Sequence, residues 1–224
     1  MAVPIAEVLA FLVRNGRLYG CMFLSVFIMG VITLGSLGFR AAFFQRTYHW
    51  SPTQYGVVSG LAQLAGSPFG LIAGTWMCER WNRKYDDGNM RVSLLANVLA
   101  IPFLAAGPMM PGPWLSAACA AIGSTCILMA APAMSAAMQT VTPSGVRAQV
   151  NSIYLLLFSG IAGVVGPWFI GWLTDLQHDE TKLRYVLAVT SAVALPIAAA
   201  IMWGAVKPFG QMVARIKQDE AAGA

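Results

Sequence analysis

Charged side chains are scarce: Asp, Glu, Lys and Arg make up 10% of the 224 residues, against about a quarter in soluble domains. No carboxylate interrupts the long apolar runs. Glu7, Glu79, Asp86, Asp87, Asp175, Asp179, Glu180, Asp219 and Glu220 all fall in tails, connectors or run ends, and both histidines, His49 and His178, fall in connectors. Cys21, Cys78, Cys119 and Cys126 lie inside the runs without metal-site spacing, so they read as small core residues rather than zinc ligands or a disulfide framework. These gaps exclude metal-assisted chemistry, which lacks ligands, and a serine hydrolase, which would need a base beside Ser59 or Ser159. No enzyme and no cofactor is expected. A cleaved signal is also excluded, because Glu7 interrupts the front, Arg14 and Arg17 come late, and the next apolar run is too long.

What is present is apolar length. Six stretches, at about 19–44, 55–78, 92–107, 114–138, 150–173 and 186–206, carry most of the 58% hydrophobic content. About 20 apolar residues are needed for a helix to cross a bilayer, and shorter candidates recruit their flanks. Backbone polar groups in lipid must be satisfied internally, which makes runs of this length helical. The expected fold class is an all-α membrane protein with six transmembrane helices. Residues 1–18 are expected to form a linker with a short surface helix at 2–13, residues 19–206 the bundle, and residues 207–224 a tail whose segment 209–218 could form another surface helix.

Basic residues set the orientation. Arg14, Arg17, Arg80, Arg83, Lys84, Arg91, Arg147, Lys207, Arg215 and Lys217 lie on the side of the termini; Arg40, Arg46, Lys182 and Arg184 lie on the other. The positive-inside rule then places both termini in the cytoplasm. The net charge of +5 is accounted for by topology, so no nucleic-acid partner is expected. Trp50, Trp76, Trp81, Trp114, Trp168, Trp172 and Trp203 all fall near span ends, as amphipathic rings at headgroup level do.

Within the spans, small residues mark packing faces. Gly66, Gly70 and Gly74 repeat every four residues in the second span, with Ser59 and Gln63 on the same stripe; Gly160, Gly163, Gly166 and Gly171 mark the fifth. Such residues let helix backbones approach closely where lipid offers no hydrophobic drive. Gln63 needs a partner helix, water or a substrate group at its depth. Arg40 is the charged residue inside a span; it either snorkels to the surface or serves an anionic substrate or the access path. Pro68, Pro167 and Pro196 sit inside spans, where freed carbonyls can be re-satisfied and helices bend, in moving and static bundles alike.

Three motifs carry a family resemblance. Gly74-Thr75-Trp76-Met77-Cys78-Glu79-Arg80-Trp81-Asn82-Arg83-Lys84 follows the second span; Thr75, Glu79 and Asn82 stand where the pattern has glycine, aspartate and glycine. Arg147-Ala148 enters the fifth span, Gly166-Pro167 and Gly171-Trp172-Leu173-Thr174-Asp175 mark its exit, and Leu183-Arg184-Tyr185 precede the sixth. Phe43-Phe44-Gln45-Arg46, Trp50-Ser51 and Tyr55-Gly56 lie between the first two. Together they resemble the second half of a major facilitator superfamily transporter, and the second motif resembles its Spinster-like branch, whose members are implicated in export of lysolipids and sphingoid lipids.

The resemblance implies one six-helix half of a two-half fold, with a site near the bilayer midplane at the interface between the halves. The expected function is transport of a small or amphipathic organic solute by alternating access. Arg40, Gln63 and Asn97 are the candidate substrate contacts. Glu79, Arg80, Arg83 and Arg147 are the candidate cytoplasmic latch, and Gly66, Gly70, Gly74, Gly163 and Gly166 the helix-packing positions. The expected partners are the bilayer, a complementary half or a second copy of the chain, and a small-molecule or lipid-like substrate, with residence in the cytoplasmic (inner or plasma) membrane. A non-transporting accessory subunit or scaffold, a self-assembled channel and an inactive remnant of a longer transporter are the alternatives.

Overall fold

The structure, a computed structural model, describes residues 5–177 and 182–222, with side chains for 7–177 and 182–218. His178, Asp179, Glu180 and the start of the expected surface helix at 2–4 lie outside the described residues. The helices are α1 (Ile5–Arg14), α2 (Gly16–Tyr48), α3 (Pro52–Asn82), α4 (Gly88–Ala106), α5 (Pro113–Val141), α6 (Arg147–Leu155), α7 (Ala162–Asp175) and α8 (Leu183–Ala222). A 3-10 turn at Gly107–Met109 prolongs α4, and a π-helical segment at Leu156–Ile161 joins α6 to α7 into one span. Among the described residues six spans are long and apolar enough to cross a bilayer, and there is no strand.

Helix boundaries follow local chemistry. His49 takes a left-handed conformation, φ 56°, and its amide donates to the Phe44 carbonyl, ending α2. Ser51 then starts α3: its hydroxyl accepts from the Gln54 amide at 3.1 Å while Gln54 Oε1 accepts from the Ser51 amide at 3.0 Å. This reciprocal cap satisfies two orphan donors, and Pro52 at the first helical position gives up no bond. α5 also has proline at its start, Pro113, but its N-cap is Gly112, which offers no side-chain cap.

The spans form an open arc. α3 packs on α5, α5 on α4, α4 on α8, α8 on α2, and α2 on the π segment and α7. α2 and α8 each have strong neighbours on two sides, whereas α3 and the fifth span stand at the ends of the arc. Half of the most apolar stretch of α2, and half of that of α8, is buried; for α3 the share is 6%.

Contacts between the spans are close where side chains are small. A Cβ on Gly35 of α2 would lie 2.6 Å from the Gly166 carbonyl of α7, and one on Gly70 of α3 would lie 2.7 Å from the Thr125 carbonyl of α5. Gly66 and Gly74 face the same helix, against Thr125 and Met129, while Gly163 meets only the Leu34 side chain at an ordinary 3.8 Å. Ser25 of α2 donates to the Ala198 carbonyl of α8 at 2.8 Å, a polar tie between two buried spans.

Each end of the arc has its own cluster. At the end holding the termini, Val8 of α1 is buried with Tyr19, Met90, Val141, Val150, Phe209 and Val213, and the Tyr19 hydroxyl lies 2.8 Å from Thr142 Oγ1. The segment 209–218 is not a separate surface helix: α8 runs unbroken through Pro208, because Phe209 and Val213 are buried in that cluster and hold the chain on its course. At the opposite end Phe44 packs on Tyr48, Trp50 and Tyr55, and Trp50 on Trp114. The Tyr48 hydroxyl donates to the Met110 carbonyl at 2.6 Å, which ties the α2–α3 corner to the α4–α5 corner.

Candidate functional site

A cleft of about 270 Å³ lies where α2, α3 and α5 meet, lined by Arg40 and Phe44 from α2, Tyr55, Ser59 and Gln63 from α3, and Ala120 and Ser124 from α5. The spacing explains the shared face. Ser59 and Gln63 stand four residues apart, as do Ala120 and Ser124, so each pair lies on one side of its helix.

Arg40 is the cation of this cleft, and no carboxylate lines it. Among the described residues the Arg40 guanidinium makes no hydrogen bond and no ion pair. An arginine inside an apolar span is costly unless it faces a partner or a watered cavity, and here the cavity is present. Arg40 also borders a narrower crevice with Ser116 and Ser191. Gln63 is exposed on the cleft wall, while Ser124 returns its hydroxyl to the Ala120 carbonyl of its own helix at 2.8 Å. The cleft therefore offers one delocalised cation, one free amide and two phenyl-type walls, Phe44 and Tyr55. That set suits a group with anionic or acceptor oxygens attached to an apolar body.

Two of the three residues singled out as substrate contacts, Arg40 and Gln63, thus share one cleft. Asn97 does not: it is buried against α8, its amide donating to Met202 Sδ at 3.6 Å, and it lines a different cavity with Ser93 and Met29. Ser59, which shares the stripe of Gln63, and Phe44 and Tyr55, which belong to the motif between the first two spans, also line the site but are not among the expected substrate contacts; the four-residue spacing of Tyr55, Ser59 and Gln63 is the signal that joins them.

The basic cluster at the end of α3 is exposed. Glu79, Arg80, Arg83 and Lys84 line a shallow depression with Trp76, and the Arg80 guanidinium lies 5.9 Å from the Trp76 ring. Arg147 is not joined to them: its guanidinium donates to the Thr142 carbonyl, both bonds 3.3 Å, and Glu79 has no hydrogen bond or ion pair among the described residues. Among the described residues, ion pairs at this end join Asp87 with Arg91 at 2.7 Å and Asp86 with Lys217. The second ties the α3–α4 corner to the last turns of α8.

A family model described as Major Facilitator Superfamily matches residues 2–167. The chain belongs to the Major Facilitator Superfamily. No curated protein matches it. Among solved structures it is similar to a bacterial homologue of the human lysosomal transporter Spinster in an inward-facing, unoccupied conformation, with 18% identity and a TM-score of 0.69 over 92% of this chain and 50% of that one. A structure of a bacterial Spinster homologue in an inward-facing, occupied conformation matches at 16% identity and a TM-score of 0.59, over 89% and 49%. The chain spans about half the length of these structures, and its arc of six spans is one half of their fold. The family and the fold are those of multi-pass integral membrane transporters, not of enzymes.

Proposed function

We propose that the chain acts as one half of a secondary transporter that moves a small or amphipathic organic solute by alternating access, with Arg40 and Gln63 among its substrate contacts. The observation that carries this reading is the unpaired Arg40 guanidinium in a cleft with no carboxylate, on spans of a transporter fold. A cation held in such a place is stabilised when an anionic or acceptor group of a substrate arrives. The amphipathic class is favoured by the apolar walls, and lysolipids are natural first candidates from the likeness to the Spinster homologues.

The partner is a complementary six-helix half or a second copy. α3 and α7 support this, because they expose Val57, Leu61, Leu64 and Ile72 on one side and Val164, Trp168 and Trp172 on the other, at the two ends of an open arc. The excess of basic residues at the end holding the termini supports placing that end in the cytoplasm of a cell that keeps the protein in its inner or plasma membrane. Glu79, Arg80, Arg83 and Arg147 then form a cytoplasmic latch whose acidic and basic members meet residues of the partner half, since they do not meet one another here. A proton-coupled cycle would draw its membrane-depth carboxylate from the partner.

The test is flux of labelled lysophospholipids with anionic and zwitterionic headgroups in vesicles holding the chain alone or with a candidate complementary half. Saturable flux lost on Arg40→Gln supports the reading. Flux that is absent with every partner, while the chain still assembles with another membrane protein, points to an accessory subunit or scaffold.

A further inference from the structure

An open groove of about 480 Å³ runs between α4 and α8. Leu94, Val98 and Ile101 of α4 line one side, and Pro196, Ala200 and Trp203 of α8 the other. Both sets follow the spacing i, i+4, i+7 and so form one face of each helix. No residue of α2, α5 or the fifth span lines the groove, which lies at the middle of the arc, remote from the open faces of α3 and α7 at its ends. Val98 is 45% exposed and Trp203 69%, so the walls face outward, toward the bilayer.

The groove is polar at one end only, the end that holds the termini. Arg91, in the first turn of α4, and Trp81, in the last turn of α3, stand there. The Arg91 Nε donates to Asp87 Oδ1 at 2.7 Å, and its guanidinium carbon lies 4.5 Å from the Tyr85 ring centroid. Those two contacts fix the plane of the fork. The terminal nitrogens make no hydrogen bond among the described residues and remain available to an anion.

The antiparallel register of α4 and α8 adds a second cation. Asn97 donates to Met202 Sδ, and a Cβ on Gly210 would lie 3.7 Å from Asp87 Cβ, so residues 91 and 207 fall at a similar height. Lys207 continues the stripe of Pro196, Ala200 and Trp203 by one more turn. It is exposed and holds no ion pair among the described residues. Of the nearby carboxylates, Asp86 is held by Lys217, while the Asp87 side chain is 13% exposed against 44% for Arg91. Positive charge is therefore what this end presents.

Length agrees with charge. From Arg91 to Ile101 α4 rises about 15 Å, which is one leaflet's share of a hydrocarbon core about 30 Å thick. Cations at the rim, tryptophan just below them and an apolar channel beyond repeat the order of phosphate, ester and chain in a lipid.

We infer that this groove binds an anionic phospholipid from the bilayer leaflet at the end holding the termini. The phosphate rests on Arg91 and Lys207, and one acyl chain lies along Val98 and Ala200. The site shares no residue with the Arg40 cleft and does not rest on the transport reading.

The test is native mass spectrometry of the full chain in mild detergent, titrated with dioleoyl phosphatidylglycerol or dioleoyl phosphatidylcholine. Wild type is expected to retain one phosphatidylglycerol saturably and at least tenfold more tightly than phosphatidylcholine. Lys207→Gln, which disturbs no ion pair, is expected to reduce that preference about fivefold, the share of one cation near a membrane surface. The double variant Arg91→Gln, Lys207→Gln is expected to abolish it. Ala200→Phe fills the channel from an exposed position and is expected to weaken both lipids at least fivefold without changing thermal unfolding of the delipidated chain. Equal retention of the two lipids by wild type overturns the site. So does a preference that survives the double variant but is lost on Arg80→Gln, Arg83→Gln, because the exposed cluster at the end of α3 would then be what holds the headgroup.

Discussion

α2 and α3 are neighbours in sequence, of similar length and both bilayer-spanning, yet half of the apolar stretch of one is buried and 6% of the other. α2 sits inside the arc, with Gly35 against Gly166 on one side and Ser25 bonded to Ala198 on the other. α3 has one close neighbour, α5, reached through Gly66, Gly70 and Gly74. α3 is also the less apolar of the two, but apolarity alone does not make a span part of a core: the fifth span is nearly as apolar as α2, yet only 17% of its stretch is buried. In lipid an apolar side chain loses little by facing outward, so burial follows from small residues and polar ties that hold backbones together.

Breaking α2 is expected to have the largest effect. Gly35→Leu would force side-chain atoms into the Gly166 backbone, and overpacking of this kind costs about 1–3 kcal/mol or more; loss of the monodisperse peak in detergent size-exclusion chromatography is the expected readout. Gly60→Leu on α3, where nothing lies within 4 Å, is expected to leave that peak intact. Equal behaviour of the two variants would show that the α2–α7 approach does not hold the arc.

Next in size is Arg40→Gln, expected to leave the fold intact and reduce flux at least tenfold, with Arg40→Lys only partly restoring it because the ammonium cannot form the planar fork. Gln63→Leu, on the exposed wall, is expected to cost less. Normal flux in Arg40→Gln would assign the arginine to the membrane surface instead.

A third comparison concerns the open faces. Leu64→Cys on α3 is expected to cross-link to a partner in native membranes, whereas Ala198→Cys, buried between α8 and α2, is expected to stay unreacted. Cysteine at Leu64 labelled only by lipid-phase reagents would mean that α3 faces bilayer.

The smallest effects lie at the helix ends. Ser51→Ala removes half of the reciprocal cap and is expected to lower stability by about 1 kcal/mol, read by thermal unfolding. Glu79→Gln is expected to leave the isolated chain's stability unchanged, as Glu79 holds no hydrogen bond or ion pair among the described residues, and to alter probe access at the cytoplasmic mouth only in the assembled transporter.

Six spans and their approximate ends were legible from apolar length, which lipid enforces through the backbone. So was the stripe Gly66, Gly70, Gly74, which meets α5. The continuation of α8 past Pro208 was not, because it depends on Phe209 and Val213 finding a cluster built from α1, α2 and α5. Nor was the π segment, whose residues 156–161 carry no pattern that separates them from ordinary helix.

The sequence by itself determined the class of solvent and the helical state of the spans, because each follows from residue type and spacing along one chain. Only the tertiary structure decided that Arg40 and Gln63 share a cleft, that Asn97 belongs with Ser93 in another, and that Arg147 binds the Thr142 carbonyl rather than Glu79. Those outcomes depend on how helices are rotated and which neighbours they meet. Close backbone contacts between distant spans, at Gly35 with Gly166 and Gly70 with Thr125, set that rotation.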